Sequence, residues 1–522
     1  MNRLRIGIDV GGTNTDGVLV DDEGSVLVAR KTPTTPDPLD GIHALLAELL
    51  VGIDRRRITQ AMLGTTHPAN AIIQRRDLGR VGVLRLAAPT SFAVRPGAAW
   101  PADLLATVLG PTEIVGGGFE YDGREISRLD EDAVRAFARH VVDAGATAIA
   151  VSSPFAPATA DHEQRAREIL TAELDGSLPV SLSHEVGSLG LLERENATIL
   201  NAALHGVARR VVDGFHSALA QQSLTVATYL TQNDGTLMTA DQAIQLPVLT
   251  LGSGPTNSMR GACALAGISD AVVVDVGGTS ADAGILVDGF PRESAAAVEV
   301  GGVRTNFRMP DLISIGLGGG TVVRSEPSGI AVGPDSVGYR VVSEALVTGG
   351  STLTLSDISV AAGRLRGFGD ARRLDTLDAD LVKAALNWVD KQINQMTDRL
   401  KASRDELPLI AVGGGSHLIP DAVASAREVI RPRHHAVANA YGAAIAEASG
   451  VVDRIYRFDS QAREECLDAA RQLAVDSAAQ AGADPDRIRI TSLVEVPLTY
   501  VPGKASRVVV KAAGPLRAET VR

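Results

Sequence analysis

Very little of this sequence is aromatic: Phe, Tyr and Trp together make up 3% of its 522 residues. Its cores must be built from Ala, Val, Leu and Ile instead. Cysteine is nearly absent, with Cys263 and Cys466 the only two. Neither lies in a metal-ligand cluster, and two thiols cannot make a disulfide framework, so a reducing cytoplasm is the expected setting. No stretch supplies the run of about 20 apolar residues that a membrane span needs. The opening Met-Asn-Arg-Leu-Arg leads into an apolar stretch broken by Asp9, which does not read as a secretory signal. Positive charge is in deficit: 50 Lys and Arg face 62 Asp and Glu, a formal charge of −12. That balance argues against a general nucleic-acid binder, because phosphate neutralisation needs clustered Lys and Arg. The surplus negative charge favours solubility.

What the chain has in quantity is glycine, 53 residues, within a 45% hydrophobic composition. The length allows at least two domains with full cores. Leu4–Val10 reads as a strand, followed by a Gly-Gly turn, a second strand through Val18–Val20, a turn at Asp22-Glu23-Gly24 and a third strand at Val26–Ala29. Helical and strand-like patterns then alternate, which predicts an α/β fold. Leu189–Leu219 has helical spacing, readable as one long helix or two. A second pass starts near Leu224, with strands at Ala271–Val276, Ala283–Val287 and Leu409–Val412, and an Ala-rich helix over Val437–Ser449.

One internal repeat stands out. Ile6-Gly7-Ile8-Asp9-Val10-Gly11-Gly12-Thr13-Asn14-Thr15-Asp16 matches Val272-Val273-Val274-Asp275-Val276-Gly277-Gly278-Thr279-Ser280-Ala281-Asp282. The shared frame is Asp-Val-Gly-Gly-Thr-x-x-Asp, each copy set between two predicted strands. A Walker A or Rossmann loop would run from strand into helix instead. Paired glycines let the backbone approach a ligand closely, and their N–H groups can face phosphate oxygens. The Thr, and Asn14 or Ser280 after it, add polar side chains. Asp9 and Asp275 accept hydrogen bonds but cannot bind phosphate directly; they can hold Mg²⁺, which neutralises a polyphosphate. One such turn is common, but two in the same frame point to a ligand. Two loops on two domains would grip ATP in a cleft between them. A third cluster, Gly413-Gly414-Gly415-Ser416, follows a buried strand and precedes a helix expected from near Pro420; it suits a flat adenine or ribose, or else a plain tight turn.

These residues resemble the hydantoinase A/oxoprolinase family. Gly7–Thr13 matches that family's opening. Gly64-Thr65-Thr66 with Asn70-Ala71, Ser183-His184-Glu185-Val186, Glu193–Thr198, Ser253-Gly254-Pro255, Ile315–Gly320 and Val332-Gly333-Pro334 follow in its order. The chain departs from the family pattern at Asn14, Ala69 and Ala281, and it is shorter than the typical A subunit, which implies missing C-terminal material. The resemblance implies an actin/sugar-kinase/Hsp70-like duplicated ATPase fold with an interdomain nucleotide cleft. It divides the chain into 1–200, 201–455 and a C-terminal extension, 456–522. It implies an ATP-dependent hydrolase that phosphorylates a cyclic amide, such as a hydantoin, lactam or oxoproline, to open the ring. The alternatives are a ketone carboxylase subunit and a nucleotide-dependent regulator. The expected site has Asp9 and Asp275 as metal-holding catalytic residues and Gly11, Gly12, Thr13, Asn14, Gly277, Gly278, Thr279, Ser280 and 413–416 on the nucleotide. Thr65 and Thr66 are expected to be catalytic as well and, with Asn70, to lie near the substrate. A B-type second subunit and an oligomeric assembly are implied, with no nucleic acid or membrane partner.

Other residues have plainer readings beside functional ones. His67 is expected to cap a helix rather than act as an acid or base. His184-Glu185 could line the cleft or be structural. The Glu193-Arg194-Glu195 run reads as an ion-pairing helix face, His434-His435 as a solvated loop, and Cys263 as a packed core residue.

Overall fold

Leu4, Ile6 and Ile8 are all fully buried, the two-residue period of a strand with one face on a core. In the computed structural model they lie in β1 (Leu4–Val10), which pairs antiparallel with β2 (Asn14–Asp21). The structure describes residues 3–33, 38–294, 297–327, 329–401, 406–459, 462–499 and 503–517. Met1, Asn2 and residues 518–522 therefore lie outside it. β3 (Val26–Pro33) pairs with β2, and β4 (Ile58–Thr65) and β5 (Ala227–Thr231) add in parallel, giving the order β3-β2-β1-β4-β5. The second copy repeats it. β6 (Ala271–Val276), β7 (Ala281–Val287), β8 (Leu312–Ile315), β9 (Leu409–Val412) and β10 (Val429–Ile430) take the order β8-β7-β6-β9-β10. Two sheets of one topology, each opening on a hairpin, are the duplicated actin/sugar-kinase/Hsp70-like architecture.

The first sheet runs on past β5 through Leu237–Thr239, Ala448–Arg457 and Ala505–Gly514 to Arg489–Pro497, nine strands in all. It draws on all three segments of the division at 200 and 455. Residues 81–182 form an inserted unit with its own four-stranded parallel sheet, in the order 109–116, 81–88, 148–152, 180–182. The insert and the first sheet meet on one unbroken helix, Leu191–Gln221, which settles the two readings of that stretch. No described helix is long and apolar enough to cross a membrane.

The helix Ala438–Ile445 is wedged between β1 and the helix Ser253–Ala266. Its seat is backbone against backbone. A Cβ on Gly442 would lie 1.9 Å from the Asn257 carbonyl oxygen, and one on Gly261 1.9 Å from that of Ala438. Only glycine allows so close an approach.

Two expectations are corrected. No helix starts at Pro420: Ser416–Leu418 is one 3₁₀ turn. The carbonyls of Ile419 and Pro420, which would begin a helical ladder, instead accept from the Arg431 guanidinium. The Ala-rich helix stops at Ile445, because the Glu447 carbonyl is captured by the Leu237 N–H at 2.8 Å and Ala448 enters the first sheet. Arg194 and Glu195, expected on an ion-pairing helix face, are each only 1% exposed. Glu195 forms a buried ion pair with Arg85 of the insert, while Arg194 ties Ser183, Ser188 and Ser153 together. Cys263 is core, as expected, and burial pushes its thiol up to about 12.

Candidate functional site

The two hairpin turns have the same local geometry. Gly11 N–H donates to the Asn14 carbonyl at 3.0 Å, and Gly277 N–H to that of Ser280 at 2.9 Å. The tips meet: a Cβ on Gly278 would come within 2.9 Å of the Thr13 methyl. Behind the second tip, Gly319 and Gly320 N–H groups bind the carbonyls of Gly277 and Gly278 at 3.0 and 2.8 Å. That ties the Ile315–Gly320 strip to the turn and fixes its backbone. Gly413, at φ +86°, closes the floor, where a Cβ would sit 2.1 Å from Asp275 Oδ1. Together these elements enclose a cleft of about 250 Å³.

Register sets the charges of this cleft. On the first sheet Asp9 lies opposite Asp16, and Asp16 opposite Lys31. On the second, Asp275 lies opposite Asp282, and Asp282 opposite Ser314. The frame Asp-Val-Gly-Gly-Thr-x-x-Asp thus makes its two carboxylates cross-strand neighbours. Lys31 Nζ pairs with Asp16 Oδ1 at 3.0 Å. Asn439, carried on the wedged helix, donates to Asp9 Oδ2 at 3.0 Å and Asp16 Oδ2 at 2.8 Å. Asn257 donates to Asp9 Oδ1 at 3.2 Å. Ser258 donates to Asp275, and Ser314 to Asp282.

Burial dominates the ionisation of these groups. Asp9 is 3% exposed. Desolvation pushes its carboxyl up to about 6, against the bonds from Asn257 and with the nearby Asp16 adding to the rise. Burial also raises Asp275, and it brings Asp282 to about 6. Four carboxylates and one lysine in a single cleft leave room for added positive charge. Among the described residues no three acidic, His or Cys side chains converge on one point. The donor set therefore fits an oxygen-loving cation such as Mg²⁺, which needs few protein ligands when phosphate and water complete its shell.

Of the expected site residues, Asp9, Gly11, Gly12, Thr13, Asn14, Thr66, Asp275, Gly277, Gly278, Thr279, Ser280, Gly413 and Gly414 line this cleft. Four stand behind it. Thr65 is buried, its hydroxyl accepting from the His67 N–H at 3.1 Å. Asn70 reaches the Thr66 hydroxyl at 3.4 Å. Gly415 N–H holds the Val276 carbonyl at 2.7 Å, and Ser416 faces His435 Nδ1 at 3.1 Å. His435, expected in a solvated loop, is half-buried, and its carbonyl accepts from Gly413 N–H. His67 begins the helix His67–Gln74. Lys31, Asn257, Ser258 and Asn439 were not singled out. Asp16 and Asp282 were visible as the last residue of the repeated frame. Lys31 was legible only through strand register, and Asn257, Ser258 and Asn439 only through tertiary packing.

Known proteins share this fold. The family model for the hydantoinase/oxoprolinase N-terminal region matches residues 5–174, and the hydantoinase/oxoprolinase model matches 194–368. The chain is 30% identical over 400 residues to the acetophenone carboxylase gamma subunit of Aromatoleum aromaticum, covering 69% of this chain and 53% of that protein. It is 29% identical over 393 residues to the caprolactamase subunit alpha of Pseudomonas jessenii, covering 70% and 55%. The chain thus spans about half the length of these curated relatives. Among solved structures, the ATP-dependent caprolactamase of Pseudomonas jessenii superposes with a TM-score of 0.77 at 20% identity, covering 99% of this chain and 89% of that one. A nucleotide-free acetone carboxylase gives 0.69 at 20% identity, covering 99% and 88%. With both family models matched in order, and with the repeated hairpins they span now placed around one cleft, the chain belongs to the hydantoinase/oxoprolinase family.

Proposed function

We propose that the cleft binds Mg-ATP and that the chain activates the carbonyl oxygen of a cyclic amide, a lactam or hydantoin, for ring opening. The observation that carries this reading is the facing pair of hairpin tips, each with a cleft-lining carboxylate at the same register position, Asp9 buried and Asp275 half-buried. When bound, ATP would supply the phosphoryl group that activates the amide carbon toward water so that the ring C–N bond can break, and Mg²⁺ would neutralise the polyphosphate. The chain's own residues supply position and charge. Gly11, Gly12, Gly277 and Gly278 offer backbone N–H groups at the tips. Asp9 and Asp275, both on the cleft, would hold the cation. Lys31 is placed to offset phosphate charge, and Gly413 and Gly414 give bare backbone for the nucleoside. In this reading Thr66 supplies a hydroxyl on the cleft wall near the substrate, reached by Asn70 at 3.4 Å, with Thr65 buried behind the wall. The similarity to ATP-dependent caprolactamase supports the amide substrate, and the subunit names of the relatives support a second, B-type subunit in an oligomer.

A second reading, supported by the likeness to the acetophenone carboxylase gamma subunit, is ketone activation in a carboxylase. Steady-state ATP hydrolysis separates the two, measured with the neighbouring gene's product present and absent. Stimulation by lactams or hydantoins is the expected result; stimulation by acetone-like ketones with bicarbonate selects the second reading. Asp9→Ala and Asp275→Ala are each expected to abolish stimulated turnover with the fold retained by circular dichroism. Wild-type turnover in both variants rules out the two-loop mechanism.

A further inference from the structure

An edge strand offers unpaired N–H and C=O groups to any other strand, and proteins blunt such edges with short length, charged side chains or Pro. Nearly every edge of the three larger sheets is blunted in this way. β3, at one end of the nine-stranded sheet, carries Arg30, Lys31 and Pro33. The second sheet ends on the two-residue strands Phe290–Pro291 and β10. The insert's sheet ends on the three-residue strand Val180–Leu182 and on Leu109–Gly116, which holds Pro111 and Glu113.

The strand Arg489–Pro497, at the far end of the nine-stranded sheet, is the exception. It is nine residues long, and among the described residues it pairs with Ala505–Gly514 alone, so its outer side is open. Its central run is Ser492-Leu493-Val494-Glu495-Val496, whose side chains alternate between the two faces. Leu493 packs into the core beneath the helix Arg463–Gln480. Glu495, the one charge in the run, turns to the same helix and pairs with Arg463 at 2.6 Å. Ser492, Val494 and Val496 turn to the opposite face and are exposed, Val494 by 48% and Val496 by 46%. No charge or Pro guards that face of the run.

The edge fits a copy of itself. Two such strands set antiparallel about a two-fold axis normal to the sheet keep each face with its own kind. Centred on Val494, the register sets Val494 against the partner's Val494 and Ser492 against the partner's Val496. Two copies of Val494 and two of Val496 then form one apolar cluster of direct and diagonal neighbours. On the other face Leu493 meets the partner's Glu495, so no like charges stand directly opposite. The two Glu495 carboxylates lie on the diagonal, each with its own Arg463, and together make a neutral group of four charges around the axis. Centring one residue later would set Glu495 against Glu495, a direct like-charge contact that destabilises a strand pair. We propose that Arg489–Pro497 is a homodimer interface, through which two copies of the chain pair edge to edge about Val494 and join their nine-stranded sheets into one. The proposal is independent of the nucleotide reading and is tested without ATP.

Sedimentation equilibrium of the nucleotide-free chain tests it. A reversible dimer is expected at micromolar concentration. Val494→Lys, at an exposed position, is expected to weaken self-association at least tenfold with the fold retained by circular dichroism, and Val494→Ile is expected to preserve it. Crosslinking tests the register. Cross-strand Cα partners lie about 4.5–5.5 Å apart, within the range of about 4.4–6.8 Å that a disulfide spans, so Val494→Cys is expected to give a covalent dimer on mild oxidation. The two copies of Val496 would stand more than about 13 Å apart at about 3.4 Å per residue, so Val496→Cys is expected to crosslink at least tenfold less. Cys263 and Cys466 are buried and do not compete. A chain that stays monomeric leaves the edge to a different subunit and overturns the proposal. So does a Val494→Lys variant that dimerises as the wild type does, or a Val496→Cys variant that crosslinks as readily as Val494→Cys.

Discussion

Glu195 meets Arg85 through two bonds, Nε to Oε2 at 2.7 Å and Nη2 to Oε1 at 2.5 Å, while Ser152 donates to the same carboxylate at 2.7 Å. All three side chains are buried. Glu195→Ala would leave a guanidinium in the interior with only the Ser91 and Val94 carbonyls for company. Breaking one side of such a pair costs about 3–5 kcal/mol, and urea unfolding should show that loss. Asp9 carries a different signature. Its folded-state pKa, pushed up to about 6 by burial, lies above that of a free carboxylate near ~3.9. The ionised group therefore weakens the ligand-free fold above about pH 6, and that penalty disappears below ~4. A cation needs the carboxylate form, so Mg²⁺ affinity should fall as pH drops through about 6. Calorimetry at pH 6 in two buffers of different ionisation enthalpy should detect proton release on binding; identical heats would place the titration elsewhere.

Among the elements, the wedged helix Ala438–Ile445 matters most to the site, because it carries Asn439 between the two carboxylates of the first sheet. A methyl group at Gly442 must push this helix off Ser253–Ala266. Overpacking of this kind costs about 1–3 kcal/mol. Gly442→Ala should lower the melting temperature and weaken nucleotide binding together, whereas Asn439→Ala should weaken binding with the smaller stability change of a lost surface of contact. Strands that end in Gly-Gly turns were the most legible elements: β6 and β9 fall at the limits their apolar runs predict, because the glycines punctuate them. The Ala-rich stretch after Val437 was legible as a helix but not in its end, since Ala tolerates both the helix and the strand into which the first sheet draws Ala448. The same limit applies to Glu193-Arg194-Glu195. A run of charges predicts ion pairing but not its partner until the insert's Arg85, more than a hundred residues earlier, is placed beside it.

For the whole molecule, the cleft joins two sheets, and Lys31 reaches across it. It is the one Lys or Arg among the described residues lining the cleft, and its Nζ lies 3.8 Å from the Cβ position of Gly414 on the opposite sheet. A ligand bound a hundredfold above its Kd adds about 2.7 kcal/mol to stability. Lys31→Met should remove much of the rise in melting temperature that Mg-ATP gives while leaving that of the ligand-free protein within a few degrees of wild type; an undiminished rise would exclude Lys31 from the phosphate environment. Lys31 also has a consequence for how the duplicated fold recognises anything at all. A clamp whose halves were true copies would receive a molecule with unlike ends equally well in either direction. At matching positions across from the second aspartate, one half carries Lys31 and the other Ser314. That single exchange gives the clamp a polarity, a charged jaw and a neutral one, so that an elongated ligand can be seated in one orientation and its reactive end presented to one wall.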